Sequence, residues 1–237
     1  MATKIALIHP SYQRVDMAFS VCKEWILAAD HPENVEYLFA LDNNDPAVPD
    51  YISRLALLEE AKRLARIEIN TGDSTDSVKA SFRACKTVSS TVELMLQISD
   101  DMAPIPHWDT ELLQRIAGVD NFKEPKAIIV SDGYWQFGMI YVYPIMNRAL
   151  YNRLGFLVYP EYTSMFADSD FTEICRRLQC EILAPELLFQ HRHFSKGFSA
   201  VDATYLRRNN QTEFDSNHVT FQQRTARNFD LDKPAIV

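Results

Sequence analysis

The sequence predicts an α/β fold in which helices flank a mostly parallel central sheet, within a single domain. Along roughly the first hundred residues, short apolar runs alternate with segments of helical periodicity, which is the order that a parallel sheet requires. Polar residues gather directly after several of these runs, where the carboxyl ends of parallel strands hold ligands. The composition, 47% hydrophobic and 24% charged over 237 residues, suits one packed domain.

In the first half of the chain, each apolar run predicts a buried strand. The predicted strands cover residues 5–9, 36–41, 66–69 and 93–98. The spacing of apolar residues predicts a first helix with Asp16 as its N-cap, and further helices over 51–65 and 78–86. The last of these carries an apolar stripe and a basic stripe on separate faces.

The second half is less regular. Its predicted strands cover residues 127–130, 138–143 and 156–159. Its predicted helices cover residues 144–154 and 171–178, the latter with Asp170 as its N-cap. No linker rich in glycine, serine or proline interrupts the sequence, so we expect one domain over residues 1–237.

Charge and cysteine content narrow the function classes. The net charge is −8, and nucleic-acid binding is not expected of so acidic a chain, because phosphate neutralisation needs clustered lysine and arginine. Basic residues do concentrate between 191 and 227, where they either face an anion or form a solvated surface. The cysteines lack metal-binding spacing and are expected to be free buried thiols: Cys22, Cys85, Cys175 and Cys180.

We expect a cytoplasmic protein without a membrane span. The sequence opens on a strand and shows no charged-then-apolar signal segment. Its most apolar stretch, residues 137–146, is far too short to cross a bilayer. Free thiols also suit a reducing compartment.

Asp100 and Asp101 follow the strand predicted over 93–98 and are candidates for a metal site. Two adjacent carboxylates repel each other, so placing both at one strand end is costly unless a cation lies there. Mg²⁺ and Mn²⁺ bind carboxylate oxygens and often bridge them to a diphosphate. The alternative is a loop whose acids only cap the following helix.

Asp168 is the candidate general base, because it precedes a helix and could accept a proton from an acceptor hydroxyl. Glu161 is a weaker rival for this role. His191 and His193 alternate in an extended segment, so both imidazoles should reach one site. They are either ligands beside a carboxylate-bound metal or ordinary surface or core residues.

Two aromatic residues follow the strand predicted over 127–130. Tyr134 and Trp135, with Asp132 beside them, lie where a ligand would approach the end of that strand. Their ring faces suit a sugar or another planar acceptor. The alternative is that both rings are packed in the core.

Together these segments resemble the family 2 glycosyltransferases and their GT-A relatives, over residues 4–228. Residues 10–14 are similar to the segment that follows the first strand in the family and lines the nucleotide. Asp42 matches the aspartate after the second strand that contacts the nucleotide base. The resemblance implies donor-binding roles for Pro10, Ser11, Tyr12, Arg14 and Asp42.

The acidic segments match further motifs of the family. Residues 99–101 resemble the D-x-D region, which implies that Asp101 binds the metal on the donor diphosphate, helped by Asp100. Trp108-Asp109 and the leucines after it match a Trp-Asp-x-x-Leu-Leu run that often follows.

The second half of the chain matches the family's base and tail motifs. Residues 167–171 resemble the Glu-Asp motif, which implies Asp168 as the catalytic base of an inverting transfer. The histidine pair, with Asp202 and Tyr205 further on, resembles a His-x-His and Asp-x-x-Tyr tail that completes the metal or diphosphate site. This implies His193 as a metal ligand, with His191 as the alternative.

The sequence also departs from the family pattern. Ser99 stands where D-x-D has its first aspartate, and Ala167 stands in the glutamate position of the Glu-Asp motif. Ser81 falls where the family has an arginine, and Lys79 or Arg83 could substitute for it at the diphosphate.

The resemblance implies a GT-A fold and a metal-dependent inverting glycosyltransferase. Its nucleotide-binding half would cover about 1–103 and its acceptor-binding and catalytic half about 104–228. The donor would be a nucleotide-diphosphate sugar, a UDP-sugar being favoured, the cofactor Mn²⁺ or Mg²⁺, and the acceptor a hydroxyl group. The alternatives are a glycosyltransferase that modifies DNA or RNA bases, a nucleotidyltransferase, and a non-catalytic nucleotide-sugar binding protein.

Overall fold

The structure is a computed structural model that describes residues 4–74, 76–119, 123–198 and 201–232. Its strands are β1 (Lys4–Pro10), β2 (Val35–Asp42), β3 (Arg66–Gly72), β4 (Val92–Gln97), β5 (Met102–Ala103), β6 (Ala127–Ser131), β7 (Ile145–Asn147), β8 (Glu181–Leu188) and β9 (Gln190–His191). Within the described residues, seven of them form one sheet in the order β3-β2-β1-β4-β7-β6-β8, and β5 pairs with β9. β7 runs antiparallel to β4 and β6, and the other pairings of the large sheet are parallel.

Helices connect the strands. They are α1 (Val15–Ala28), α2 (Val48–Leu57), α3 (Ser77–Cys85), α4 (Trp108–Ala117), α5 (Arg148–Leu154), α6 (Ala167–Leu178), α7 (Ala203–Arg208) and α8 (Gln211–Ala226). Four of these begin at a side chain that accepts a backbone N–H of the first turn, as short polar residues do at N-caps. These N-caps are Asp76, Asn147, Asp202 and Asn210.

The core lies on both faces of the large sheet. Alternate residues of β1 point to opposite faces, so Ile5 and Leu7 pack in one apolar cluster while Ala6 and Ile8 pack in the other. The first cluster includes residues of α1 and α4, and the second includes residues of α3, α5 and α6. Because helices cover both faces, every residue of β2 is buried. The predicted fold class is therefore confirmed.

Two predicted N-caps are wrong. α1 starts after Arg14, and Asp16 lies in its first turn with a side chain that is 90% exposed. α6 starts after Phe166, and Asp170 lies inside its first turns. Asp170 does not cap the helix because its carboxylate is occupied by hydrogen bonds from Tyr162 and Arg224.

Several predicted elements of the second half differ in the structure. Residues 138–143 and 156–159 are not strands; the backbone N–H of Tyr141, for example, bonds to the hydroxyl of Thr172 instead of a neighbouring strand. The helix expected from residue 144 begins only at Arg148, because Asn147 ends β7 and caps α5. β8, an edge strand that contains Pro185, was not predicted. In the first half, the helix predicted over 51–65 is α2 followed by a separate 3₁₀ segment, Glu59–Arg63.

Two further expectations concern the cysteines and the membrane. All four cysteines are buried and free, as predicted. No helix of the described residues is long and apolar enough to cross a membrane.

The Trp-Asp pair at the start of α4 has a structural role. Asp109 is 2% exposed, and its two oxygens accept the backbone N–H groups of Asp30 and His31 at 2.9 and 2.8 Å. Trp108 donates its indole N–H to the carbonyl oxygen of Trp25 at 2.9 Å. These bonds tie α4 to the end of α1.

We expect Asp109→Ala to lower the free energy of unfolding by about 1–3 kcal/mol, because two backbone N–H groups would lose their charged acceptor. Urea denaturation at neutral pH measures this change. Asp16→Ala is the matched control; its side chain is 90% exposed, and its effect should stay within about 0.5 kcal/mol. Equal effects of the two substitutions would contradict the anchoring role of Asp109.

Candidate active site

Two adjoining cavities open at the carboxyl ends of the parallel strands. The main cavity has a volume of about 510 Å³, and the side cavity of about 200 Å³. The two cavities adjoin, because both are lined by Arg14, Gln97, Ser99 and Tyr205. This is the edge at which parallel α/β sheets hold ligands.

Most of the residues singled out in the sequence meet at these cavities. The side cavity is lined by Pro10, Ser11, Tyr12, Arg14, Asp42 and Asp100. The main cavity is lined by Arg14, Asp101, Tyr134, Trp135, Asp168, His191 and His193. Residues more than 150 positions apart are thus brought to one place.

Lys79 and Asp132 line neither cavity. The ammonium group of Lys79 lies 3.0 Å from the carboxylate of Asp76, one turn earlier on the same helix. Asp132 is 5% exposed, and its Oδ1 accepts the backbone N–H groups of Tyr134 and Trp135 at 3.1 and 3.0 Å. Asp132 therefore shapes the turn that presents these two rings to the main cavity.

Arg83, the other candidate for the missing family arginine, also points away from the cavities. Its guanidinium donates to Asn70, to Ser74 and to the carbonyl oxygen of Leu41. Ser74 in turn donates to Asp42. Arg83 therefore stabilises the end of β2 without lining either cavity.

Asp100 belongs to a buried hydrogen-bonded chain. Its Oδ1 lies 3.0 Å from Nε2 of His9, whose Nδ1 is 2.5 Å from the hydroxyl of Tyr37. Its Oδ2 lies 3.7 Å from Arg14. Arg14 also donates to both oxygens of Asp202 at 2.7 Å, and this pairing lowers the pKa of Asp202. His9 and Tyr37 were missed in the sequence, because strand burial gives no sign of a polar partner across the sheet.

Asp101 faces the main cavity and contacts His191. Its Oδ2 lies 3.3 Å from Nε2 of His191, and Ser99 donates to its Oδ1. Burial alone would raise the pKa of Asp101, but the contacts with His191 and Ser99 and the charge of Arg14 lower it to about 2. Burial alone would lower the pKa of His191, but the hydrogen bond to Asp101 and nearby carboxylates raise it.

The structure pairs Asp101 with His191, whereas the sequence assigned His193. The reason is strand register: Met102 of β5 pairs with His191 of β9, which places this imidazole beside Asp101. His193 also lines the main cavity, with its ring 5.3 Å from that of His191, but its Nδ1 is bonded to Ser195. Burial and the charge of His191 lower the pKa of His193.

The donor atoms at Asp101 fit a cation that is only partly held by protein. No group of three or more histidine, cysteine, aspartate and glutamate side chains in the described part of the chain is arranged to hold a metal ion alone. The imidazole Nδ1 of His191 is buried and, among the described residues, has no hydrogen-bond partner. The carboxylate of Asp101 suits Mn²⁺ or Mg²⁺ whose remaining positions would be filled by phosphate oxygens and water, and an added imidazole would favour Mn²⁺ over the oxygen-preferring Mg²⁺.

Asp168 lies in the first turn of α6 and lines the main cavity. Burial raises the pKa of its carboxyl group, which accepts the backbone N–H of Ser169 at 2.8 Å. A raised pKa brings a carboxylate closer to the proton affinity that a general base needs. Glu161, its rival in the sequence, is exposed and does not line either cavity.

An aromatic wall borders the main cavity. The rings of Trp135 and Tyr134 lie 5.2 Å apart, Tyr134 and His193 4.9 Å, His193 and Phe194 4.4 Å, and Phe194 and Tyr205 4.4 Å. Trp135 is 39% exposed, so it is not a core residue. Phe194 was missed in the sequence, although its position next to the histidine pair was a signal.

The side cavity is closed by α7. The guanidinium of Arg207 stacks over the ring of Tyr12 at 3.9 Å, and Thr204 donates to the carbonyl oxygen of Tyr12. Arg207 lies in the basic C-terminal run of the sequence, but nothing local indicated its contact with a loop near residue 12.

No protein-family model and no curated protein sequence matches the chain. Among solved structures, S. aureus TarS 1–349 matches with a TM-score of 0.62 at 13% identity over 79% of this chain and 59% of that one. TarS 1–349 has also been solved in complex with UDP and with UDP-GlcNAc. This chain therefore spans about six-tenths of the length of TarS 1–349.

Two further solved structures share the fold. The catalytic domain of Drosophila β1,4-galactosyltransferase 7, in complex with xylobiose, has a TM-score of 0.53 at 10% identity over 81% of this chain and 71% of its own. The mannosyltransferase PcManGT from Pyrobaculum calidifontis, in complex with GDP-Man and Mn²⁺, has a TM-score of 0.51 at 12% identity over 95% and 76%. The GT-A glycosyltransferase fold expected from the sequence is confirmed.

Asp101 is expected to stabilise the folded protein at neutral pH and to lose this effect in acid. Its pKa of about 2 lies below that of an ordinary aspartate, so as the pH falls the unfolded chain binds a proton first and unfolding is favoured. The difference in unfolding free energy between wild type and Asp101→Asn should shrink by about 2 kcal/mol between pH 7 and pH 2.5. Urea denaturation across this range measures it, with the exposed Asp16→Asn as control. A difference that does not depend on pH would contradict the assignment.

Proposed function

We propose that this protein is a metal-dependent, inverting glycosyltransferase that moves a sugar from a nucleotide-diphosphate donor to an acceptor hydroxyl. The observation that carries the proposal is the placement of Asp101 and Asp168 in one cavity, which adjoins a second cavity lined by residues 10–12 and Asp42. A donor-holding carboxylate and a candidate base are thus next to a pocket of nucleoside size. The fold of known glycosyltransferases supports this assignment.

The side cavity is the proposed nucleoside site. Tyr12, stacked under Arg207, offers a rigid ring, and Asp42 offers a carboxylate to a base or ribose hydroxyl. The resemblance favours a UDP-sugar, and TarS 1–349 has been crystallised with UDP and UDP-GlcNAc. PcManGT, however, carries GDP-Man and Mn²⁺, so the fold accepts more than one nucleotide.

The charge balance of the two cavities supports the use of a divalent cation. Among the described residues that line them, the carboxylates are Asp42, Asp76, Asp100, Asp101, Asp168 and Asp202, and the arginines are Arg14 and Arg207. Lys79 pairs with Asp76, and Arg83 lies near Asp42, but the other four carboxylates still outnumber the two arginines, so a diphosphate would be repelled. Bound at Asp101 with His191 or His193, Mn²⁺ or Mg²⁺ would supply positive charge that offsets the charge developing on the leaving diphosphate.

Asp168 is proposed to act on the acceptor. It takes the proton of the acceptor hydroxyl as the oxygen attacks the anomeric carbon from the face opposite the diphosphate, and the nucleoside diphosphate leaves with the bonding electrons. Inversion at the anomeric carbon follows from this geometry. The wall formed by Tyr134 and Trp135 suits a sugar ring, because the apolar face of the sugar can stack on an aromatic ring.

Four free buried thiols favour a reducing compartment such as the cytoplasm.

The donor site predicts a specific pattern of ligand stabilisation. Of UDP, GDP, CMP and TDP, one nucleotide with Mn²⁺ should raise the melting temperature of the wild type by about 5 °C at saturating concentration. The rise should disappear without Mn²⁺ and in Asp101→Ala, and persist in Asp16→Ala, whose carboxylate is exposed on α1. A thermal-shift panel measures this. An equal rise in melting temperature in Asp101→Ala and Asp16→Ala would contradict the assignment of Asp101.

The base assignment predicts the effect of Asp168→Asn. Transfer, followed as release of nucleoside diphosphate with a panel of saccharide acceptors, should slow by about 10²–10⁴-fold, while the donor-induced thermal shift persists. Glu161→Gln is the matched control, because Glu161 is an exposed acid close in sequence. Loss of transfer in Glu161→Gln and not in Asp168→Asn would reverse the assignment.

A further inference from the structure

Helix α8 packs against residues 162–170, the segment that carries Asp168. We call residues 162–170 the base segment. The first contact is at its start. Asn217 of α8, 1% exposed, accepts the backbone N–H of Thr163 at 2.9 Å and donates to the hydroxyl of Thr163 at 2.8 Å. One buried amide thereby fixes both the backbone and the side chain of this residue.

The second contact is at Phe166, immediately before α6. Its backbone is left-handed, with φ of +65°, a conformation that a bulky residue rarely adopts without support. Its ring lies 5.1 Å from Phe214, 5.2 Å from His218 in a stacked arrangement, and 5.6 Å from Phe221. These rings of α8 hold the turn by which the chain enters α6.

The third contact is a buried ion pair. Arg224 and Asp170 are each 1% exposed, and the guanidinium donates to the carboxylate at 2.9 and 3.3 Å. Tyr162 also donates to this carboxylate, and Arg224 lies over the ring of Tyr159 at 3.8 Å. A charged pair so fully removed from water is stable only when both partners are well bonded.

We propose that α8 is a brace that positions Asp168, and that Asn217 and Arg224 are its positioning residues. α6 has no side-chain N-cap of its own, so its first turn, which contains Asp168, is held from α8 instead. This inference rests on the proposed function, in which Asp168 is the base. Neither positioning residue lines the two cavities or touches the proposed donor site.

The test uses Asn217→Ala and Arg224→Lys in the full chain. The controls are Ser216→Ala on α8 and Arg227→Lys directly after it, both at exposed positions. Hydrogen exchange of the amides of residues 163–170 should speed up by about 10-fold or more in the two test variants, and that of β1 and β4 should not change. The turnover number should fall by about 10-fold or more, while the affinity for the nucleotide with Mn²⁺ stays within about 2-fold. The controls should match the wild type.

A double variant distinguishes a loss of positioning from misfolding. Asp170→Asn with Arg224→Met removes both charges of this pair; Asp230, which Arg224 also contacts at 2.7 Å, keeps Arg227 at 3.4 Å. The double variant should show the same loss of turnover with intact donor affinity. Wild-type turnover in the test variants, or unchanged exchange in the base segment, would overturn the brace and leave the proposed function standing. Equal loss of donor affinity and turnover would show that α8 only stabilises the fold. No transfer by the wild type with bound donor would overturn the proposed function and the brace with it.

Discussion

The guanidinium of Arg14 joins three chain segments on which both cavities depend. Arg14 follows β1 in the chain. Its guanidinium donates to both oxygens of Asp202 at the start of α7 and lies 3.7 Å from the carboxylate of Asp100, which follows β4. Without this cation, the carboxylates that meet at this edge would repel one another and oppose closure of α7. Because residues of α7 line the side cavity, this ion-pair cluster stabilises the wall of the proposed nucleoside pocket.

Asp100 and Asp101 share the edge but have different partners, because they are the two central residues of a turn in which the backbone N–H of Met102 bonds to the carbonyl oxygen of Ser99. Asp100 turns inward, to His9 and Arg14, and its charge is balanced inside the protein. Asp101 turns toward the main cavity and His191. The repulsion expected for adjacent acids is therefore relieved largely by protein cations, and Asp101 alone remains placed for a ligand.

The parts of this arrangement that depend on local pattern could be predicted from the sequence. Alternating strands and helices gave the fold class, and polar residues after strands marked the ligand edge. What the sequence could not show were partners brought together by tertiary structure. Asp170 has the sequence position of a helix cap, but its carboxylate instead accepts a hydrogen bond from Arg224, 54 positions later. The choice between His191 and His193 depends on the pairing of two short strands. β8 was missed because an edge strand with one exposed face lacks a continuous apolar run.

The two sides of the candidate active site are built by different means, which limits what the shared fold indicates about the two substrates. The proposed donor side lies on the ends of β1, β2 and β4, which are buried and hydrogen-bonded across the sheet. The proposed acceptor side is made of turns: Asp132 shapes the loop of Tyr134 and Trp135, and a left-handed Phe166 leads to Asp168. Side-chain bonds that can vary independently of the sheet hold these turns. The shared fold therefore bears on the proposed donor side, whereas the proposed acceptor side depends on side chains that can differ between proteins of one fold.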